Sequence, residues 1–437
     1  MRKNLFKKVL ALTLASTMAF SMAGCGSKGG SSDAKNDDGT ITLNVWHQWS
    51  NDTNELKSKY EEAVKAYEKE NSGVKIKTET LDTEAYKTKI NAEFAGDAKG
   101  IDVFYWWGAG TAKKLVDAGK VMALDDYVTD DVKSKILEGS TSAFEFDGKL
   151  YSVPMFSWYM TLFCNKTMFD KAGATLPTTY DELVYAVKKL KKLDGVTPMA
   201  AGAKDGWNAA FVYQALALRE VGATGVNEML SGKKEFGDEG FKKAAQKVSD
   251  LYEMGAFGDN PLEQGNDDAN AAFENGKAAM RLMGSWFANN VYTDDAATIK
   301  PEEVVALKIP TIADGKGEAT DYCGGFVESF WVNNNTKYKE EAAKFCIYIN
   351  EKMGVASYET GSGFSGWTTP ADESNLNPLF IQIKDLLAEG KQGVLAWDTS
   401  LESEPAAVHN EQVQTLFADG ADIDAFIDEH KAAINGK

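Results

Sequence analysis

From residue 40 onward the chain switches repeatedly between two hydrophobic periods. Residues 41–46 (ITLNVW) alternate apolar and polar positions, the two-residue period of a strand. Over 55–70 the period lengthens, with Leu56, Tyr60, Ala63, Val64 and Tyr67 on one helical face. A strand over 74–80, a helix over 85–94 and a strand over 101–107 complete a βαβαβ pattern, which predicts a parallel sheet covered by helices. Another helix begins at 113–118, and 151–166 reads as extended, broken at Pro154. Thr179 and Glu182 form a capping box ahead of Leu183, Val187 and Leu190. Asp238 is placed to cap a helix over 241–252. Strands are expected over 278–284, 304–309 and 325–333. From Lys339 the pattern is mostly helical, apart from a Gly/Ser/Trp-rich loop at 361–369. A sheet that starts at the N-terminus and resumes two hundred residues later points to interleaved lobes, with a cleft at the carboxyl ends of the strands.

Length and composition narrow this picture. The 437 residues exceed one hydrophobic core, and 43% apolar with 26% charged residues excludes a disordered chain or a coiled coil. The net charge of −18 and the lack of a basic cluster beyond the first ten residues argue against nucleic acid as a partner. At the start, Arg2, Lys3, Lys7 and Lys8 precede an uncharged run over 9–24 that ends in small residues, the pattern of a cleaved signal peptide over 1–24. Its loss leaves 43 basic against 65 acidic residues, a net −22, which favours solubility. The Gly/Ser/Asp-rich stretch 25–39 reads as a flexible tether. Cys164, Cys323 and Cys346 lack metal spacing and read as small buried hydrophobes; with His47, His409 and His430 scattered, neither a metal site nor a cofactor is expected.

The tryptophans carry the chemistry. Nine of the ten fall at strand ends or in loops: Trp46, Trp49, Trp106, Trp107, Trp158, Trp207, Trp286, Trp367 and Trp397. Trp331 is mid-strand and is read as core. Most have polar or glycine neighbours, and an indole covers the C–H face of a sugar ring while Asp, Asn, Gln or His beside it takes the hydroxyls. Each single tryptophan is equally well a core filler, so the recurrence supports a sugar site without identifying its members. For Asp102, a strand-end carboxylate and a ligand contact are equal alternatives.

Several segments together resemble the extracellular sugar-binding proteins of ABC importers, the family that includes maltose-binding protein. They are Ile101-Asp102-Val103-Phe104 with Trp106, Trp107 and Gly108; Tyr151-Ser152-Val153-Pro154 leading to Asn165-Lys166; Asn275-Gly276-Lys277 running to Gly284-Ser285-Trp286; and Gly324-Gly325-Phe326. Trp397-Asp398-Thr399-Ser400-Leu401, through His409, Gln414 and Phe417, is most similar to the raffinose and isomalto-oligosaccharide branch. After Asp-Val-Phe this chain has Trp106-Trp107-Gly108-Ala109-Gly110 where relatives often have one Trp and Gly-Gly, a departure that bears on sugar identity. Met22-Ala23-Gly24-Cys25 resembles the lipobox of bacterial lipoproteins, with Met where that pattern usually has Leu. The resemblance implies that Cys25 becomes the acylated N-terminus and membrane anchor, against the alternative of an ordinary signal peptide with an incidental Cys.

The resemblance implies an α/β fold of the periplasmic-binding-protein type, two lobes on a multi-crossing hinge. The lobes are expected over 40–154 plus 310–350 and 155–309 plus 351–437, with hinges around Pro154, Ile309-Pro310 and Glu351. It implies a monomer at the extracellular face that binds an oligosaccharide without altering it and delivers it to ABC permease subunits. The implied ligand-binding residues are Trp46, His47, Asp102, Trp107, Trp207, Trp286, Gly325, Trp367, Trp397 and Asp398, with Trp207 and Trp397 stacking on sugar and Asp398 accepting from hydroxyls. Two other functions share these features. A lipid-anchored glycoside hydrolase needs a carboxylate pair that 65 acids cannot exclude, and a glycan adhesin needs an open aromatic platform.

Overall fold

Among the described residues, twelve strands organise the fold: β1 Ile41–His47, β2 Val74–Thr80, β3 Val103–Trp107, β4 Glu145–Phe146, β5 Lys149–Leu150, β6 Phe156–Asn165, β7 Thr197–Ala200, β8 Ala278–Gly284, β9 Val304–Leu307, β10 Asp321–Val332, β11 Phe364–Ser365 and β12 Gln392–Val394. They come from a computed structural model that describes residues 39–51, 54–293 and 297–436. Residues 1–38, which hold the expected signal peptide over 1–24, Cys25 and most of the expected tether, lie outside the described residues.

One path of hydrogen-bonded strands, β2-β1-β3-β10-β6-β8-β7, runs through the molecule. β1, β2 and β3 are parallel, as their βαβαβ pattern requires. The sheet as a whole is mixed, because β10 arrives from far along the chain and runs antiparallel to both β3 and β6. Buried apolar side chains form two clusters on either side of this strand. The first draws on 41–156, 330–353 and Trp367; the second draws on 158–323 and 376–427. These are the two interleaved lobes of the α/β fold. Core membership changes between Phe156 and Trp158, between Cys323 and Phe330, and between Trp367 and Leu376, where the sequence places changeovers at 154/155, 309/310 and 350/351.

Strong periodicity locates the elements well. The helix Glu55–Glu70 and strands β2 and β8 have the bounds read from the pattern. Thr179 and Glu182 complete the capping box of the helix Tyr180–Leu190, and Asp238 caps Glu239–Glu253 through the Gly240 N–H. Three differences bear on the site. The expected helix start at 113 lies at 109, in the helix Ala109–Asp117, because the glycines there admit close backbone approach rather than ending the helix. β10 begins at Asp321 rather than 325, since Gly324 and Gly325 pair with Tyr159 and Trp158. The helical segment Gly206–Leu230, broken by a kink at Gly222 (φ 80°, ψ 154°), has no counterpart in the pattern, for it is buried on nearly all sides and shows no amphipathic stripe.

A buried polar knot fixes β10 within the first lobe. The Asn350 side chain accepts from Phe330 N–H at 2.8 Å and donates to the Phe330 carbonyl at 3.1 Å. Ser329 donates to the Val153 carbonyl at 2.6 Å, which ties in the chain before β6. Replacing Asn350 by Ala removes these partners from a buried strand and is expected to cost about 1–3 kcal/mol in urea unfolding.

All three histidines are buried. In the second lobe, His409 Nδ1 lies 2.9 Å from His430 Nε2, and His430 Nδ1 donates to the Phe426 carbonyl at 2.8 Å. Burial lowers the pKa of His430 from 6.5 to about 4, so below pH 6.5 the unfolded chain takes up a proton that the folded chain refuses. Stability therefore falls as pH drops from 6.5 toward 4. Between pH 7 and pH 5, His430→Gln is expected to lose about 2 kcal/mol less unfolding free energy than the parent, measured by denaturant titration at each pH.

Candidate functional site

The two lobes enclose a cleft of about 1150 Å³ beside the crossing strands. Its first-lobe wall begins with Trp49 after β1, continues with Glu84 and Lys87 of the helix Thr83–Ala95, and ends with Trp106 and Trp107 of β3. The second-lobe wall carries Trp158 of β6, Trp207 and Phe211 from the first turns of Gly206–Leu230, and Trp286 beyond β8. Asp398 of the short helix Trp397–Ser400 and Glu328 of β10 also face it.

The second-lobe aromatics form one connected surface. Trp158 stacks on Phe211 with centroids 5.3 Å apart and meets Trp286 edge-on at 5.0 Å. Trp207 meets Phe211 edge-on at 5.3 Å. Gly284 makes this possible: a Cβ there would collide with the Trp286 ring, which folds back over the strand end. Opposite, Trp107 packs edge-on against Tyr105 at 5.2 Å and Trp106 at 5.4 Å. Lys87 links the walls, its Nζ 5.1 Å from the Trp107 ring centroid and 5.7 Å from that of Trp207. Offset and tilted rings of this kind leave flat faces available to a ligand.

Polar groups surround the rings. Asp205 accepts from Asn266 N–H at 2.6 Å at the mouth of the second-lobe wall. Beneath it the buried Arg281 donates to Asn208 at 2.7 Å, to Asn270 at 3.1 Å and to Asn266 at 3.1 Å, which fixes the wall's amide side chains. Burial pulls the Arg281 pKa down to about 9, opposed by Glu274 and Asp205. Burial raises the Asp398 carboxyl above its usual range, against the pull of Lys87. Trp207 Nε1, Gln48 Oε1 and Asn410 Oδ1 are buried atoms on this cleft without a protein hydrogen-bond partner. Unmet polar atoms in a cleft carry a cost that a hydroxylated ligand would offset. Among the described residues no group of three or more His, Cys, Asp or Glu could hold a metal ion, and Cys164, Cys323 and Cys346 are buried free thiols.

Of the residues singled out from sequence, Trp107, Trp207, Trp286 and Asp398 meet at this cleft. Six others lie elsewhere, each for a packing reason. Trp46 is buried in the first core, its ring covered by Lys89 at 4.5 Å. His47 is enclosed by Trp49, Tyr60 and Phe330, accepts from Trp49 N–H at 3.2 Å, and is held neutral by burial, with its pKa near 3. Asp102 accepts from Asn44 N–H at 2.8 Å and Thr336 Oγ1 at 2.6 Å, tying β1 to the turn after β10. Gly325 has φ 147° and packs under Leu395. Trp367 donates to the Pro154 carbonyl at 2.7 Å and pins its loop to the first core. Trp397, only 1% exposed, stacks on His409 at 5.0 Å, so its indole cannot offer a face to sugar. Its neighbour Asp398 reaches the cleft, because successive residues of a helical turn point different ways.

Sequence reasoning missed Lys87, Glu328 and Arg281. Lys87 stands on a helix that buries only Tyr86, Ile90 and Phe94, Glu328 inside an apolar strand run, and Arg281 within β8. None carries a local signal, since each acquires its role from a neighbouring element.

Residues 50–355 match the family model described as bacterial extracellular solute-binding protein. A solved structure from work on xylan utilisation by Caldanaerobius polysaccharolyticus is 36% identical, with a TM-score of 0.86 over 90% of this chain and 100% of that one. The multiple sugar-binding protein of Streptococcus mutans is 24% identical over 368 residues, 81% of this chain and 80% of that protein. An uncharacterized ABC transporter extracellular-binding protein of Pyrococcus horikoshii is 26% identical over 280 residues, 62% of this chain and 61% of that protein. Two lobes around an aromatic cleft, and a family match over most of the folded body, lead to one conclusion: the chain belongs to the bacterial extracellular solute-binding proteins.

Proposed function

We propose that this chain captures an oligosaccharide between its lobes and delivers it unaltered to the permease subunits of an ABC importer. The observation that carries the reading is the placement of Trp107 on one wall and Trp158, Trp207 and Trp286 on the other, with Asp398 beside them. Indoles take the C–H faces of sugar rings, and the carboxylates and amides around them take the hydroxyls. The cleft volume of about 1150 Å³ exceeds the range of roughly 300–1,000 Å³ usual for a small-molecule pocket, which favours several sugar units over one. The Caldanaerobius relative comes from a study of xylan utilisation and the streptococcal one is named for multiple sugars, so xylo-oligosaccharides join raffinose and isomalto-oligosaccharides as first ligands to test.

Binding acts through differential affinity. A sugar that touches both walls favours the form in which Lys87 joins Trp107 and Trp207, and the lobes close about the crossings at residues 156–158, 323–330 and 367–376. Diacylation at Cys25 would hold a monomer at the outer membrane surface, since two acyl chains anchor stably. Cys25→Ala is expected to release the protein into the medium, read by fractionating cells.

Calorimetric titration with xylotriose, raffinose, isomaltotriose and maltotriose tests the central reading. At least one should bind with micromolar affinity, about −8 kcal/mol, and remain intact after hours by chromatography. Trp207→Ala and Asp398→Ala should each weaken that binding at least tenfold with little change in melting of the unliganded protein. Released monosaccharide would establish a hydrolase instead.

A further inference from the structure

β10 is the strand both lobes share, and its irregularity falls at the cleft floor. The ladder to β6 shifts register between Phe326 and Glu328, and the intervening Val327 gives its carbonyl to Gly108 N–H at 2.6 Å. A bulge of this kind turns the next side chain away from the regular alternation. Here that side chain is Glu328, which pairs in register with Trp107 of β3 on one side and with Phe156 of β6 on the other. The residue lines the cleft and is nevertheless 8% exposed. Its carbonyl accepts from Met155 N–H at 3.2 Å, so its position is set by the chain on both sides of a lobe crossing.

The charges around Glu328 do not neutralise it. From β3 it is faced by Tyr105, whose hydroxyl burial keeps protonated, and by the Trp107 indole. From the helix Thr83–Ala95 it is faced by Lys87, whose ammonium is engaged by Glu84 at 3.1 Å and by two indole rings. From the helix Trp397–Ser400, Asp398 shares the field of the same lysine. Among the described residues no ion pair reaches Glu328. Burial pushes its pKa up to about 7, with Tyr105, Trp107 and Lys87 pulling the other way. A carboxylate only accepts hydrogen bonds, whereas a carboxylic acid also donates one, and a sugar oxygen offers lone pairs to such a donor.

We propose that Glu328 is a sugar-contacting residue that works as an un-ionised acid, donating to a ligand oxygen at the cleft floor, so that capture is linked to protonation there. The inference rests on the sugar-binding reading and adds a residue and a pH response to it. Closure on a ligand removes water from the carboxyl and raises the cost of its charge, so the complex holds the proton more tightly than the free protein. By linkage, affinity is highest below the pKa of the free protein and falls as pH rises through it.

The test is calorimetric titration of the full mature chain with the tightest binder among xylotriose, raffinose, isomaltotriose and maltotriose, from pH 5.5 to pH 8.5. The parent is expected to bind about tenfold more weakly at pH 8.5 than at pH 6, with proton uptake detected by changing the buffer's ionisation enthalpy. Glu328→Gln, which cannot titrate, should flatten this slope, and Glu328→Ala should lose at least tenfold at pH 6. In the unliganded parent, tryptophan emission should titrate near neutrality through Trp107, and this transition should vanish in Glu328→Gln. Binding that is flat or strengthens with rising pH, or a slope retained in Glu328→Gln, overturns the role of Glu328 while leaving sugar capture standing. If none of the four sugars binds at any pH, the sugar-binding reading fails, and the proposed contact fails with it.

Discussion

The ladder that β10 makes with β3 on one side and β6 on the other carries one strand through two distinct cores. Backbone hydrogen bonds are obligatory in a buried strand, so wherever β10 goes its neighbours must follow. Trp107 and Trp158 each end up facing the cleft because the strands that carry them pair with this one. The knot of Ser152, Ser329 and Asn350 then secures the first-lobe half, satisfying buried groups that the crossing would otherwise leave unpaired.

A cleft built along such a strand is neither interior nor surface. Trp107, Trp207 and Trp286 are packed yet only half-buried, and the cleft's polar groups are desolvated without being fully paired. That intermediate condition explains several observations at once. The Glu328 and Asp398 carboxyls lie above their usual range, and Trp207 Nε1 lacks a protein acceptor. Arg281 meets the same environment with full satisfaction, spending its donors on Asn208, Asn266, Asn270 and two carbonyls, and so acts as the rigid base of the wall. Rigid amides and flat rings lose little freedom on binding, which leaves more of the contact energy for affinity.

The tryptophans show where local reasoning stops. Trp331 was legible as core because it lies mid-strand between apolar neighbours. Trp207 and Trp397 have similar local contexts, each followed by a polar residue near a helix start, yet one faces the cleft and the other stacks on His409. What separates them is the helix Ser403–Thr415, which covers Trp397 and brings His409 to it. Asp102 divides in the same way: a strand-end acid beside a turn is local information, but Thr336, the hydroxyl that claims it, lies far along the chain.

The two lobes came from the family resemblance, while by itself the sequence determined the elements with strong periods, the capping box at Thr179 and the parallel βαβαβ start. These depend on residues within a few turns of one another, where spacing alone decides which side chains share a face. Only the tertiary structure decided which indoles remain accessible, that β10 closes the sheet antiparallel, and that Glu328 and Lys87 line the cleft with Arg281 buried behind its wall. Those outcomes depend on pairings across tens to hundreds of residues, and burial, not residue type, sets whether a ring fills a core or faces a ligand.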